Sequence, residues 1–313
     1  MQADSSARLQ RREAILGSVL CAGGAMLFAA KGVIAKLIYA EGMDYETVVM
    51  LRAVLALPVF WAWALVNVGA TPLRSARGGA VTAALVAGLL CYCVGSLLDF
   101  YALTVIGANL ERALLFSYPA MVVIAAALLA RRWPAPRMSF AVSLTWLGVA
   151  LAVGVFDHDV LRGNAVGALA ILACAALFAG YFLISDRYMR EIGSLPFTAF
   201  AMTGAALGLV AWYAARHSDL PLPQGATAWA LLALLIGAST VAPVIMMAEG
   251  VRRIGAQRGA VVSTVGPPFT IALAWLVLGE RMGVDQILGT VLIIGGILVL
   301  ELARKRRVPD PTD

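Results

Sequence analysis

The chain has 313 residues, of which 61% are hydrophobic and only 13% charged, whereas soluble domains carry about a quarter charged residues. This excludes the pair of ordinary soluble domains that the length alone would suggest. The net charge of +6 sits in short segments between apolar runs, a placement that excludes a nucleic-acid-binding surface as its cause.

In chain order, apolar runs fall near residues 15–39, 46–66, 79–105, 110–130, 137–155, 165–185, 194–215, 226–250, 257–279 and 284–303. Each approaches the ~20 residues needed to cross hydrocarbon. Lipid offers no partner for unpaired backbone groups, so the runs are expected to be helices. The prediction is an all-α integral membrane protein of about ten transmembrane helices. Arg8, Arg11 and Arg12 before the first run resemble a signal-peptide start, but the run continues past Lys31 and is read as a retained span.

Seventeen of the 24 basic residues lie in the segments that share a side with the N-terminus. They include Arg131, Arg132, Arg252, Arg253 and the tail from Arg304. Only Arg112, Arg162, Arg216 and Arg281 are assigned to the other side. The positive-inside rule therefore puts both termini in the cytoplasm.

The chain also repeats itself. Ile106-Gly107-Ala108 and Pro119 recur as Ile254-Gly255-Ala256 and Pro267 at an offset of 148 residues. Leu27-Phe28-Ala29 matches Leu177-Phe178-Ala179. The expected organisation is a cytoplasmic segment 1–14, a first repeat 15–155, an external linker 156–164, a second repeat 165–303 and a basic tail 304–313. Five spans per repeat is an odd number, so the second copy enters the membrane from the opposite side. Inverted repeats of this kind are a route to alternating access about a midplane site.

Leu51-Arg52-Ala53, Tyr101-Ala102-Leu103 and Leu278-Gly279-Glu280-Arg281, on two repeats of five spans, resemble the drug/metabolite transporter superfamily, EamA family. Asn109-Leu110-Glu111-Arg112, Tyr118-Pro119 and Ser239-Thr240-Val241-Ala242-Pro243 resemble a bacterial subgroup of it. The first repeat departs from the pattern, with Leu129-Ala130-Arg131-Arg132 where the second has Leu-Gly-Glu-Arg. The resemblance implies secondary transport of small organic metabolites, often export of amino acids or related compounds.

Candidate site residues emerge from charge placed where it is expensive. Lys31 lies about sixteen residues into the first span, too deep to snorkel easily. Arg52, Asp99 and Glu249 also fall inside spans. Asp99 or Glu249 could take up a coupling proton, although Glu249 could equally pair with Arg252 or Arg253. Glu111 and Arg112 are adjacent on a helix and point about 100° apart, so each needs a partner elsewhere; Lys31 is the natural one for Glu111. Tyr118 lies two turns beyond Glu111. Tyr101, Tyr118 and Tyr181 are either substrate contacts or aromatic filler. Pro119, Pro243, Pro267 and Pro268 each remove a helical hydrogen bond and mark kinks or gates.

Cys21, Cys91, Cys93 and Cys174 lie in apolar runs and read as small core residues. Asp157-His158-Asp159 reads as a solvated turn. No metal and no cofactor are expected, nor a phosphate-cradling loop for ATP. The expected partners are the lipid bilayer, a small-molecule substrate and protons as a coupling ion. Gly148, Gly154, Gly289, Gly295 and Gly296 allow close helix packing, within the chain or in a homodimer. The first reading is an exporter of amino acids or related zwitterions. An uptake carrier for an organic cation or nucleoside-like compound is the second, and a non-transporting membrane enzyme or sensor is the alternative from another class.

Overall fold

A computed structural model describes residues 2–74, 76, 78–220, 222–254 and 256–305. Ten helical spans succeed one another. They are α1 (Gln2–Ala29 continued by Lys31–Ala40), α2 (Tyr45–Val68), α3 (Gly78–Val105), α4 (Ala108–Leu115 continued by Tyr118–Ala130) and α5 (Pro136–Val153). After these come α6 (His158–Ile192), α7 (Ser194–Arg216), α8 (Ala226–Ile254), α9 (Ala256–Ser263 continued by Gly266–Leu278) and α10 (Val284–Lys305). Nine of them are long and apolar enough to cross a membrane among the described residues, and α10 adds a shorter apolar stretch, Val284–Leu300. Large apolar side chains such as Leu129, Trp275, Leu276 and Val291 stand exposed on the outside, as a lipid-facing surface requires. The chain is a multi-pass membrane protein.

One boundary differs from the sequence expectation. Asp157 is not part of a turn through residue 159: its carboxylate accepts from the backbone N–H of Asp159 (3.0 Å) and Val160 (3.2 Å). That N-cap starts α6 at His158, so most of the expected 156–164 linker is helix.

The packing is pseudo-symmetric. Helix α1 lies against α8 as α6 lies against α3, while α2 pairs with α7 and α5 with α10. The α5–α10 contact is close because Gly148 and Gly289 face each other; a Cβ on Gly148 would come within 2.6 Å of the Gly289 carbonyl oxygen. These glycines are thus spent on an internal contact.

The interruptions repeat as well. Helices α4 and α9 break at equivalent points, before Tyr118 and before Gly266. Pro119 and Pro267 open the second pieces, where a missing N–H is tolerated. Helices α3 and α8 each contain a π-helical segment, Leu89–Gly95 and Gly237–Val241, starting 148 residues apart. In the second, the Thr240 hydroxyl donates to the carbonyl of Leu235 at 2.9 Å. Helix α1 breaks at Ala30, and Thr270 of α9 donates its hydroxyl to the Ala29 carbonyl at 3.0 Å.

Candidate functional site

The break in α1 puts Lys31 at the start of a new helical piece, and Gly107 at the N-cap of α4 starts the turn that carries Glu111 and Arg112. The two pieces meet α3 in the middle of the bundle. Lys31 is 2% exposed, Asp99 5%, Glu111 1% and Arg112 3%. Lys31 Nζ forms an ion pair with Asp99 Oδ2 and lies 3.3 Å from Glu111 Oε1. Burying this many charges costs several kcal/mol each unless they are paired, and Lys31 is the group that pairs both carboxylates. Its ammonium also sits 5.5 Å from the centre of the Phe100 ring.

Arg52 and Arg112 stand on the edge of this cluster. Arg52 donates to the Ser96 hydroxyl at 2.9 Å and lies over the Phe100 ring at 4.8 Å. Arg112 lies between the rings of Phe28 (4.7 Å) and Phe116 (5.3 Å). No carboxylate lies within ion-pair distance of either guanidinium among the described residues. The Nε atoms of both lack a hydrogen-bond partner there. Arg112 thus corrects the sequence assignment: it is not an outer-loop cation, because α4 is already inside the bundle when it reaches that residue.

Both arginines line a cavity of about 270 Å³ enclosed by α1–α4 and α6–α9. Its walls are mostly apolar and aromatic, including Phe28, Phe60, Tyr92, Phe178 and Met247. Tyr118 is part of the wall and stacks on Phe182, ring centres 5.2 Å apart. Pro243 succeeds the π segment of α8 and faces the same space. On α1 the lining residues precede Lys31, and on α2 they run from Arg52 toward Phe60. The cavity therefore extends from the charged cluster toward the side of the bundle where α1 begins.

On the other side of the cluster the bundle is closed by polar contacts. Lys36 Nζ lies 2.9 Å from Glu280 Oε1. Glu280 also accepts from the backbone N–H of Ala108 at 3.1 Å and of Asn109 at 3.4 Å. Glu46 accepts from the Tyr45 hydroxyl at 3.0 Å, pairs with Arg216 at 3.3 Å and contacts His217. Residue pattern does not single out Glu46 or His217; an acidic loop at the start of α2 is the one hint.

The remaining candidates lie away from the cavity wall. Glu249 is at the far end of α8, paired with Arg252 and Arg253 at 2.7 Å each. Tyr101 packs edge-on against Tyr45 near the closed side. Tyr181 is one layer behind, edge-on to Tyr92 at 5.1 Å. Pro267 and Pro268 open the second piece of α9, whose Ser263, just before the break, does reach the cavity. Nothing in the residue pattern warns of the π segment that brings Tyr92 to the wall, because no proline or polar insertion marks it.

Comparison with known proteins agrees with this architecture. The EamA-like transporter family matches residues 15–154 and again 165–302. The chain is 33% identical over 293 residues to the uncharacterized transporter YcbK of Bacillus subtilis, covering 92% of this chain and 93% of that protein. It is 24% identical over 209 residues to the uncharacterized inner membrane transporter YicL of Salmonella typhimurium, covering 66% of this chain and 69% of that one. A solved crystal structure with 20% identity superposes with a TM-score of 0.63 over 93% of this chain and 99% of its own, a likeness of fold. Two matched halves, a relative aligned nearly end to end and a ten-helix bundle together make the chain a member of the EamA-like transporter family, within the drug/metabolite transporter superfamily.

Proposed function

We propose that the chain is a secondary active transporter that moves a small organic metabolite across a bacterial cytoplasmic membrane by alternating access, with both termini in the cytoplasm. The observation that carries this reading is the cavity of about 270 Å³ walled by helices of both repeats and stopped at one end by the Lys31–Asp99–Glu111 cluster. Matched breaks in α4 and α9 and matched π segments in α3 and α8 support inverted repeats able to exchange roles. Its named relatives are transporters, which favours carriage over catalysis.

The energy source in this reading is an ion gradient, and a proton is the coupling ion. A proton on Asp99 or Glu111 would weaken the hold of the cluster on Lys31 and loosen the junction of α1, α3 and α4. Net direction is set by the gradients; export is the direction the family resemblance favours. The amino-acid reading loses its footing in one respect, because both carboxylates face Lys31 instead of the cavity.

Counterflow in proteoliposomes against a panel of labelled metabolites tests the carrier reading. Wild type should exchange at least one of them. Ala56→Trp, which fills the cavity from α2, should exchange none while remaining folded. Unchanged exchange by Ala56→Trp would move the site elsewhere. For the coupling ion, Glu111→Gln and Asp99→Asn should lose the wild-type dependence of transport on pH; retention of that dependence would contradict proton coupling here.

A further inference from the structure

We propose that the cavity selects a small organic monoanion, a carboxylate on an apolar body about the size of one aromatic ring, over the matching zwitterion or cation. This rests on the carrier reading above and names the substrate class of the same site.

Charge balance favours an anion. The centre of the bundle holds three cations, buried Lys31 and Arg112 and half-buried Arg52, against two buried carboxylates, Asp99 and Glu111. Lys31 takes both carboxylates, so the unmatched positive charge resides on the two arginines. Excess charge in a membrane interior is costly, and the contacts of Arg52 and Arg112 with aromatic faces offset only part of that cost. With both carboxylates ionised, one added negative charge neutralises the centre.

The chemistry of the wall points the same way. Among the described residues, Arg52 and Arg112 are the only charged ones lining the cavity, and no Asp or Glu joins them. A guanidinium presents a planar fork that matches a carboxylate in bidentate geometry. An ammonium group entering the same space would find no carboxylate acceptor on the wall and would face two guanidiniums. A zwitterion therefore gains at one end and loses at the other, and a cation only loses.

Size and surface set the rest of the ligand. An apolar cavity of roughly 150 Å³ accommodates benzene. The 270 Å³ here leaves room for one ring and a short acid-bearing chain. The Tyr118–Phe182 stack, with Phe60 and Phe178, supplies apolar and aromatic contact for that body.

Three probes with one ring and differing charge separate the possibilities: 3-phenylpropanoate, phenylalanine and 2-phenylethylamine. Each is tested for binding by tryptophan fluorescence and for counterflow in liposomes of neutral phosphatidylcholine. Phenylpropanoate should bind and exchange about tenfold better than either of the others, as expected for a charge-assisted carboxylate contact. Arg112→Gln should lose most of that preference and Arg112→Lys should keep part of it. The ranking in wild type stands as a test even if a variant fails to fold. Preference for phenylalanine or phenylethylamine would overturn the anion class while leaving the carrier reading intact. Binding of phenylpropanoate without exchange would uphold the anion class and count against the carrier. Failure of all three to bind folded protein would overturn the proposal.

Discussion

Glu280, at the end of α9, accepts a hydrogen bond from the backbone N–H of Ala108, 172 residues earlier, at 3.1 Å. The contact joins the two repeats and places a carboxylate on the positive end of α4, where a helix N-terminus favours it. The left-handed C-caps Arg131 and Gly279 set the structural register at 148 residues, one off the motif alignment, so the position equivalent to Glu280 is Arg132. An arginine cannot cap the equivalent start of α9. The side away from the termini thus has a latch between the repeats, and the cavity extends toward the opposite side.

Breaking the central cluster should be costly. Lys31→Met leaves Asp99 and Glu111 buried side by side without their cation, and removing one partner of a buried ion pair costs about 3–5 kcal/mol. The double variant Lys31→Met/Asp99→Asn should recover part of that loss, since one carboxylate leaves with the ammonium. Thermal unfolding of wild type, both singles and the double in detergent gives the coupling directly. Additive losses would mean that the pair contributes nothing as a unit.

The π segment in α3 takes up one extra residue in a widened turn. Deleting Val94 from Leu89–Gly95 should restore a regular helix with Ser96 and Asp99 close to their present phase, whereas inserting an alanine between Gly95 and Ser96 should turn both by about 100°. In the insertion variant Arg52 would lose Ser96 and Lys31 would lose Asp99. We expect a clear drop in melting temperature and loss of transport from the insertion, while Val94→Ala keeps both. An insertion variant as stable and active as wild type would show that the phase of α3 does not aim these residues.

The α5–α10 contact gives a packing test. A Cβ at Gly148 would meet the Gly289 oxygen at 2.6 Å and the Ile293 nitrogen at 2.8 Å, whereas one at Gly283 meets nothing within 4 Å. Gly148→Ala should destabilise by about 1–3 kcal/mol, and Gly283→Ala should change stability by less than about 0.5 kcal/mol. Equal effects in a denaturation series would place the tight packing elsewhere.

Much of the fold is legible from residue pattern. Ten apolar runs, an odd number per repeat and the 148-residue offset lead directly to the bundle, since lipid permits little else. The depth of Lys31 and the divergent directions of Glu111 and Arg112 point to a shared charged centre. Proline marks the breaks in α4 and α9. The π segment in α3 is illegible because an extra residue in a helical turn leaves no signature in composition, whereas Pro243 marks the distortion in α8. Asp157 looks like a turn residue because its capping role depends on which N–H groups it meets. For Glu249 the spacing offers two readings, a proton carrier or a partner for Arg252 and Arg253 three and four residues on, and the structure has the second.

The most direct test of alternating access uses the sidedness of one thiol. In a background with Cys21, Cys91, Cys93 and Cys174 replaced by alanine, Ala53→Cys puts a single thiol on the cavity wall. A membrane-impermeant maleimide is then applied to right-side-out and inside-out vesicles. Labelling is expected from the side that holds the termini, with a shift toward the opposite side when Glu280→Ala removes the latch. Labelling from neither side, or a sidedness that Glu280→Ala leaves unchanged, would contradict alternating access.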